Sequence, residues 1–541
     1  MGGEGLMKSP SVLGEADLFT PPRDTPYRRL DIPPPRQVRS GGRSVLEVPI
    51  ETLTRLAREA FTETAFSLRP ARLEGLTAIL ADPEASENDR FVAASLIRNA
   101  MISAEGRLPL CQDTGTASVF AIRGEDIRTG ADDAAALAEG ARQAYADHAL
   151  RHSQMLPRGL FEEVNTDTNL PAQVDIAFAP GSEYRLLFVA KGGGSANKTA
   201  LFQCSPSQLN EGAFESLLRE RINGMGVAAC PPYRLALVIG GTSPELNLKA
   251  VKLASAGAMD GAPATPGGAF YRDRSWEELL RRLARESNWG AQFGGRYLAL
   301  DARVIRMARH AASLPVGLGV SCSADRNALA RIGSDGVFLE ALDHDPGRWA
   351  DALAAAEAPH ARRIDLNRPM ADILEQLRAC RAGQAVRLNG PMVVARDRAH
   401  MILRERLRTG APLPSYFRDH PICYAGPART PPGMVTGSFG PTTSSRMDEF
   451  MEEFMARGGA LVTLGKGHRS PAVRAACRTY GGFYLGTIGG AAALLAREHI
   501  AAAEVLDFPE LGMEAVRRIV VRDLPAFIVY DPFGGSLYPS V

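Results

Sequence analysis

The chain has 541 residues and a mass of 58.0 kDa, which is more than one hydrophobic core usually serves and predicts at least two domains. Its 62 basic and 61 acidic residues nearly cancel, which argues against binding of nucleic acid or anionic membranes through overall charge. No apolar run approaches the roughly 20 residues of a membrane helix. Seven dispersed cysteines are too few for a disulfide scaffold, so we expect a soluble protein of a reducing cytoplasm.

The N-terminal part reads as an arm followed by an α/β region. Residues 1–45 are rich in Pro, Arg and Gly and lack the apolar core of a signal peptide, so we predict an irregular arm, for which a partner subunit is a candidate surface. Apolar positions recur at helical spacing between residues 51 and 104. Further on we predict strands at 118–122, 174–178, 184–190 and 234–239, and helices at 132–148 and 244–256. This alternation is typical of an α/β layer structure.

A stretch rich in Ala, Arg and Asp, from Asp343 to Ala382, separates two series of elements. We therefore predict an N-terminal domain at 46–360, a linker at 361–384 and a smaller C-terminal domain at 385–541. In and around the C-terminal domain we predict helices at 370–381, 396–409, 447–457 and 471–480, and strands at 385–388, 460–464, 519–521 and 526–530.

Three cysteines lie in polar turns rather than in apolar runs. Cys111 is in Leu-Pro-Leu-Cys-Gln-Asp-Thr-Gly, Cys230 in Ala-Ala-Cys-Pro-Pro-Tyr and Cys322 in Val-Ser-Cys-Ser-Ala-Asp-Arg. A buried structural cysteine usually lies within an apolar run, so these three thiols are better placed to face a cleft. They are either unrelated thiols or the ligands of a shared metal centre, although cluster ligands more often include closely spaced pairs.

The neighbours of these cysteines favour a shared centre. Asp113 follows Cys111 by two residues, and His310 precedes Cys322. Three thiolates would leave one iron of a 4Fe-4S cluster without a protein ligand. An open metal position beside acid–base groups can act as a Lewis acid on a bound hydroxyl or carboxylate.

Three glycine-rich segments carry donors suited to anions. Lys191–Lys198 contains three consecutive glycines, so its backbone N–H groups can converge on a carboxylate or phosphate; a flexible turn is the alternative. Gly437–Arg446 contains four consecutive hydroxyls at Thr442–Ser445 and an arginine ahead of a predicted helix, where a cap would need only one hydroxyl. Gly465–Ser470 repeats the pattern. None has the spacing of a nucleotide-binding loop, and together they predict a substrate with at least two carboxylates.

These residues resemble the class I, iron-sulfur-dependent fumarases and the related tartrate dehydratases. The resemblance runs from about residue 45 to the C-terminus. It rests on Cys111-Gln-Asp-Thr-Gly-Thr, Lys191–Lys198, Ile239-Gly-Gly-Thr, Ala291-Gln-Phe-Gly-Gly, Gly319-Val-Ser-Cys-Ser-Ala-Asp-Arg326, Gly440-Pro-Thr-Thr and Tyr480-Gly-Gly-Phe-Tyr-Leu-Gly.

The resemblance implies a role for each candidate residue. Cys111, Cys230 and Cys322 would hold a 4Fe-4S cluster whose fourth iron chelates a carboxylate oxygen and the hydroxyl of malate. Asp113 would help the hydroxyl leave as water, and Thr442, activated by Arg396, would take the C3 proton. The remaining donors would fix the substrate carboxylates: Gln112, Arg151, the Gly194 backbone, His310, Arg446 and Lys466. The implied architecture is an α/β N-terminal cluster-binding domain with a smaller swivelling β/α C-terminal domain, in a homodimer.

Two positions depart from the family pattern and leave substrate choice among fumarate, mesaconate and tartrate open. His468 stands where Asn is expected, and Ala311 stands where Gly is usual. Fusion of both domains in one chain favours a fumarate hydratase of the tricarboxylic acid cycle, since tartrate dehydratases usually split them. A non-catalytic iron-sulfur sensor or a zinc-binding scaffold is a different possibility, but neither needs Asp113, Thr442 and Arg446.

Overall fold

The computed structural model describes residues 12–354 and 360–539. Its α-helices are α1 (Glu15–Leu18), α2 (Ile50–Phe66), α3 (Pro70–Ala81), α4 (Glu87–Ser103), α5 (Asp133–Asp147), α6 (Gly193–Ala196), α7 (Glu211–Met225), α8 (Pro244–Ser255), α9 (Arg274–Glu286), α10 (Ala350–Ala354), α11 (Met370–Arg378), α12 (Asp397–Arg408), α13 (Ser415–Asp419), α14 (Asp448–Ala456), α15 (Pro471–Tyr480) and α16 (Ala492–Leu494).

Two sheets form the N-terminal half. In the order in which neighbours pair, the six-stranded sheet contains β1 (Tyr27–Arg29), β16 (Gly336–Glu340), β15 (Asn327–Gly333), β9 (Tyr184–Lys191), β4 (Thr116–Gly124) and β8 (Gln173–Ala179). The five-stranded sheet contains β10 (Ala200–Cys204), β14 (Leu314–Ser321), β11 (Tyr233–Gly241), β13 (Ala299–Arg309) and β12 (Phe270–Arg272). Apolar side chains of both sheets and of α8 form one buried cluster, so the two sheets share a core.

The C-terminal half is built on a seven-stranded sheet. Its order is β17 (Ala361–Asp365), β18 (Ala385–Val394), β19 (Ile422–Cys423), β22 (Val462–Gly465), β23 (Phe483–Gly486), β25 (Val516–Tyr530) and β24 (Ile500–Asp507). The first five strands are parallel to their neighbours, and the long β25 pairs with both β23 and β18, which closes the sheet on itself. Short pairings elsewhere join β2 (Arg36–Ser40), β3 (Arg43–Glu47) and β5 (Ile127–Arg128), β6 (Met155–Pro157) and β7 (Glu163–Asn165), and β20 (Ala425–Pro427) and β21 (Phe439–Pro441).

The two-domain α/β architecture predicted from the sequence is confirmed, with two corrections to the segments around it. The predicted irregular arm contains strands where it is described: β1 pairs with β16, and Leu18 and Phe19 are buried in the core of their own chain. Residues 1–11 lie outside the described part. The predicted linker at 361–384 contains the predicted helix at 370–381, observed as α11, but it also contains β17, which pairs along its whole length with β18 and so belongs to the C-terminal sheet. No helix in the described ranges is long and apolar enough to cross a membrane.

A buried histidine in the C-terminal half makes stability depend on pH. His400 on α12 is fully buried among aromatic rings, and its Nε2 has no hydrogen-bond partner among residues 12–354 and 360–539. Burial lowers its pKa from 6.5 to about 4. Between these values the unfolded chain binds a proton that the folded chain does not, so the stability present above pH 6.5 falls as the pH drops towards 4.

We expect this group to account for about 3 kcal/mol of that loss, and His400→Phe to remove it. Urea unfolding of the protein and the variant across this pH range measures the difference. If both proteins lost stability equally on acidification, His400 would not be the responsible group.

Candidate active site

Strand register brings three turns of the N-terminal half together. Thr116 at the start of β4 pairs with Lys191 at the end of β9, so the turn before β4 meets the glycines after β9. Arg234 at the start of β11 likewise pairs with Ser321 at the end of β14. The turns of Cys230 and Cys322 therefore meet, and Arg326, four residues after Cys322, reaches the turn of Cys111 by donating to the carbonyl of Asp113.

The three cysteines are reduced, and their turns are in contact. Ser323, next to Cys322, donates its backbone N–H to the carbonyl of Cys230 at 2.9 Å. Burial, opposed by the charge of Lys466 and supported by the neighbouring thiols of Cys322 and Cys111, raises the pKa of the Cys230 thiol to about 11. Burial also raises the pKa of Cys111. These thiols need nearby positive charge or a bound metal to ionise.

Cationic side chains surround the thiols. Lys466 donates to Cys230 Sγ with a distance of 2.8 Å, and Arg72 donates to the carbonyl of Cys322 at 3.4 Å. Burial opposes the charge on Lys466, but the thiols of Cys230 and Cys111 outweigh it and raise its pKa above the ordinary value. Burial likewise opposes the charge on Arg326, but the thiols of Cys111 and Cys322 outweigh it and raise the pKa of Arg326. This surface suits three thiolates that share an anionic centre.

The donor set fits an iron-sulfur cluster better than a single ion. In the described ranges no group of three His, Cys, Asp or Glu side chains is arranged around one metal position. A cluster takes one thiolate on each of three irons, so its ligands lie farther apart than those of one ion. Ser323 Oγ, beside the third cysteine, is buried without a hydrogen-bond partner among the described residues. Cys380 and Cys477, predicted to be packing residues, are buried in apolar clusters that both halves contribute to.

A cavity of about 420 Å³ opens between the two halves next to these cysteines. Its C-terminal wall comes from residues that follow the carboxyl ends of parallel strands, where ligands of such sheets usually bind. Arg396 follows β18, and Lys466 follows β22. The cavity brings together most of the predicted residues: Gln112, Asp113, Arg151, Gly194, Arg396, Thr442, Arg446 and Lys466.

Asp113 is held in its ionised form. Burial opposes that charge, but Arg151, Arg326 and the backbone N–H of Gly193 outweigh it and keep the pKa of Asp113 below its usual range. The N–H of Gly193 donates to Oδ2 of Asp113 at 2.8 Å. A buried carboxylate that accepts backbone hydrogen bonds is fixed in orientation as well as charge. It can exchange a proton with a molecule in the cavity.

The hydroxyl of Thr442 contacts a different arginine from the one predicted to activate it. Arg446 Nη2 donates to Thr442 Oγ1 at 2.6 Å and to Asp397 at 2.8 Å. Arg396 lies against Gly426 in the same cavity, and its buried Nε has no partner in the described part. Burial and the nearby Arg151 lower the pKa of Arg396 to about 10, so it stays charged at neutral pH. The arginine that bonds the Thr442 hydroxyl is therefore Arg446, four residues after it in the chain, rather than Arg396.

His310 is the one predicted residue that the structure places elsewhere. It lies exposed on the turn between β13 and β14, where its Nδ1 accepts the N–H of Ala312 at 3.1 Å. Sequence reasoning also missed cavity residues, among them Ser153, Asn197 and Ser445. Ser445 belongs to the hydroxyl run already singled out, but no local pattern marks Ser153. Its backbone N–H bonds to Asn169, a contact between distant loops.

Comparison with known proteins adds independent findings. A family model described as Fumarate hydratase (Fumerase) matches residues 54–331, and one described as Fumarase C-terminus matches residues 336–541. An Escherichia coli protein named Fumarate hydratase class I, aerobic, is 50% identical over 503 residues, 92% of each chain. Fumarate hydratase 2 of Leishmania major is 48% identical over 500 residues, 92% of this chain and 88% of that protein. A Methanocaldococcus jannaschii alpha subunit assigned to L(+)-tartrate dehydratase is 32% identical over 287 residues, 51% of this chain and 96% of the subunit.

Proposed function

The chain belongs to the class I fumarate hydratase family, and from this we propose that its cavity interconverts fumarate and (S)-malate with the help of a 4Fe-4S cluster. It is a hydro-lyase, and fumarate is its substrate. The observation that carries the cluster is the convergence of Cys111, Cys230 and Cys322 on one cation-lined edge, next to a cavity rich in carboxylate-binding donors. When bound there, the cluster would supply an open iron that acts as a Lewis acid on the substrate oxygen.

We propose the following division of work among the side chains of the cavity. Arg151, the Gly194 backbone and Lys466 hold the two carboxylates, which orients the C2–C3 bond. Asp113, ionised in the free site, takes a proton from the water that adds to fumarate and returns it to the departing hydroxyl of malate in the reverse direction. Thr442 exchanges the C3 proton, and the adjacent guanidinium of Arg446 stabilises its alkoxide form. Gln112 belongs to the N-terminal wall of the cavity, and its amide donates to Pro441 O of the C-terminal wall at 3.2 Å, which holds the two walls together.

The proposal is tested by assaying anaerobically reconstituted protein with fumarate, mesaconate and L-tartrate. We expect the highest kcat/KM with fumarate. A higher kcat/KM with tartrate would change the assignment to L-tartrate dehydratase, and a higher value with mesaconate would change it to mesaconate hydratase. No activity with any of the three, in protein that contains the cluster, would favour a non-catalytic sensor.

A comparison of two arginine variants tests which guanidinium serves Thr442. We expect Arg446→Lys to lower kcat about tenfold or more with a smaller change in KM, because lysine cannot reproduce the planar fork beside the hydroxyl. Arg396→Lys should act mainly on KM, since Arg396 faces the cavity without bonding Thr442. The reverse pattern in steady-state kinetics would return the activating role to Arg396.

We further propose a homodimer of the reducing cytoplasm that acts in the tricarboxylic acid cycle. The free state of all seven cysteines is compatible with such a compartment. Light scattering of the purified protein tests the dimer. The exposed His310 keeps its predicted substrate-binding role only as a hypothesis, and a His310→Ala variant with unchanged KM would remove it.

A further inference from the structure

One segment of the C-terminal half lies against the turns of all three cysteines. This docking segment, residues 487–494, follows β23 and reads Thr-Ile-Gly-Gly-Ala-Ala-Ala-Leu. A Cβ atom on Gly489 would collide with Cys230 Sγ, and one on Gly490 would collide with Ser323 Oγ, next to Cys322. Both positions must be glycine because the backbone itself approaches the cysteine turns.

Gln292 ties this segment to the turn of Cys230. Its Nε2 donates to the carbonyls of Pro231 and Gly489, each at 2.9 Å, and its Oε1 accepts the N–H of Gly489 at 2.7 Å. The side chain is 3% exposed, so no water competes for these bonds. The backbone of Gln292 has a φ of 126°, which glycine adopts freely and other residues seldom do. Unfavourable backbone angles persist where surrounding contacts hold them in place. Here the hydrogen bonds of the Gln292 side chain hold the backbone.

Asn99 makes the equivalent connection to the turn of Cys111. Its Nδ2 donates to the carbonyl of Leu110 at 3.0 Å and to that of Gly490 at 3.3 Å. Its Oδ1 accepts the N–H groups of Ala493 and Leu494 at 2.9 and 3.0 Å. Two buried carboxamides from the N-terminal half thus each join one cysteine turn to the docking segment.

We propose that Gln292 and Asn99 are positioning residues for the iron-sulfur centre. Their carboxamides lock the docking segment onto the cysteine turns, so the three thiols hold their places only when the two halves are joined. This inference depends on the proposed function, because it concerns how the chain retains the cluster. It also gives a role to Ala291-Gln-Phe-Gly-Gly, a motif that the catalytic scheme does not use.

The test compares Gln292→Gly with the matched control Asn247→Ala. Asn247 is fully buried and donates to Val238 O at 3.1 Å and to Gly240 O at 2.6 Å, with no cysteine among its partners. Gln292→Gly removes the carboxamide, and it also relieves the backbone strain because glycine adopts this φ freely. If Gln292 had a purely structural role, the variant should therefore be stable and retain its cluster normally. We expect instead that iron release to a chelator becomes about 10- to 100-fold faster, while Asn247→Ala releases iron at the rate of the unmodified protein.

A second readout uses cluster-free protein. In the folded chain Cys230 is 4% exposed, so a small thiol reagent should label it slowly. We expect Gln292→Gly to raise the labelling rate of Cys230, measured by peptide mass spectrometry, about tenfold or more because the turn opens locally. The buried Cys477 serves as an internal reference whose labelling rate should not change.

Any one of three outcomes would overturn the proposal: unchanged iron release in Gln292→Gly, unchanged labelling of Cys230 in Gln292→Gly, or equally fast iron release in Asn247→Ala. Should Gln292→Gly fail to fold, Asn99→Ala replaces it, because it removes the carboxamide that joins Leu110 to Gly490 and leaves Gln292 and the three cysteines in place. Unmodified protein that holds no cluster would contradict the proposed function. A cluster that is retained in every variant would contradict this inference alone.

Discussion

Thr442→Ala is expected to lower kcat by about 10²- to 10⁴-fold, the usual range for loss of a general base. The hydroxyl of Thr442 is the group in the cavity that receives a 2.6 Å hydrogen bond from a guanidinium, and alanine removes it without adding bulk. KM should change little, because the carboxylate donors stay in place. Steady-state kinetics with malate and loss of a C3 deuterium label together measure the effect.

Two controls separate loss of the base from loss of the site. The visible absorption and iron content of Thr442→Ala should match those of the unmodified protein, since no cysteine turn is touched. Thr442→Ser keeps the hydroxyl and should retain much more activity. An alanine variant that turned over at the normal rate would refute the assignment of Thr442.

Serine in place of Cys111, Cys230 or Cys322 is expected to lower activity at least about a thousandfold, because a Lewis-acidic metal supplies several kcal/mol of transition-state stabilisation. Each variant should also lose most of its iron and sulfide, since the two remaining thiolates cannot hold a cluster that is bound through three of its irons. Iron and sulfide analysis after anaerobic reconstitution, paired with the fumarate assay, measures both effects.

Cys204→Ser is the matched control, because Cys204 lies half-buried on β10, away from the three cysteine turns. It should keep both cluster and activity. If a Cys322→Ser variant retained the cluster and full turnover, the ligand set proposed here would be wrong at that position.

The local signals of the site were visible in the sequence because they are short and chemically unusual. Polar turns around three cysteines, three adjacent glycines and a run of four hydroxyls each predicted an element of the cavity. Their meeting was not predictable from pattern alone, since it depends on register: Thr116 opposite Lys191 and Arg234 opposite Ser321 are pairings between strands far apart in sequence.

Other errors have the same origin. The arm and the linker lack strong periodicity, yet β1 pairs with β16, far along the chain, and β17 pairs with β18. The resemblance implies that Arg396 activates Thr442, whereas the hydroxyl accepts a hydrogen bond from Arg446, four residues after it; the activating role of Arg396 stays a prediction. The motif Ala291-Gln-Phe-Gly-Gly marks Gln292 in the sequence but does not reveal what the residue does, because its left-handed backbone and its contact to Gly489 appear only in three dimensions.

The central claim is that three distant thiols hold a catalytic iron-sulfur cluster, and one preparation tests it. Protein purified without oxygen is analysed for iron and acid-labile sulfide, and the same sample is assayed with fumarate. We predict iron and sulfide in equal amounts, about four of each per chain, with activity that rises and falls with the iron. Full fumarate hydration by protein free of iron and sulfide would contradict the account.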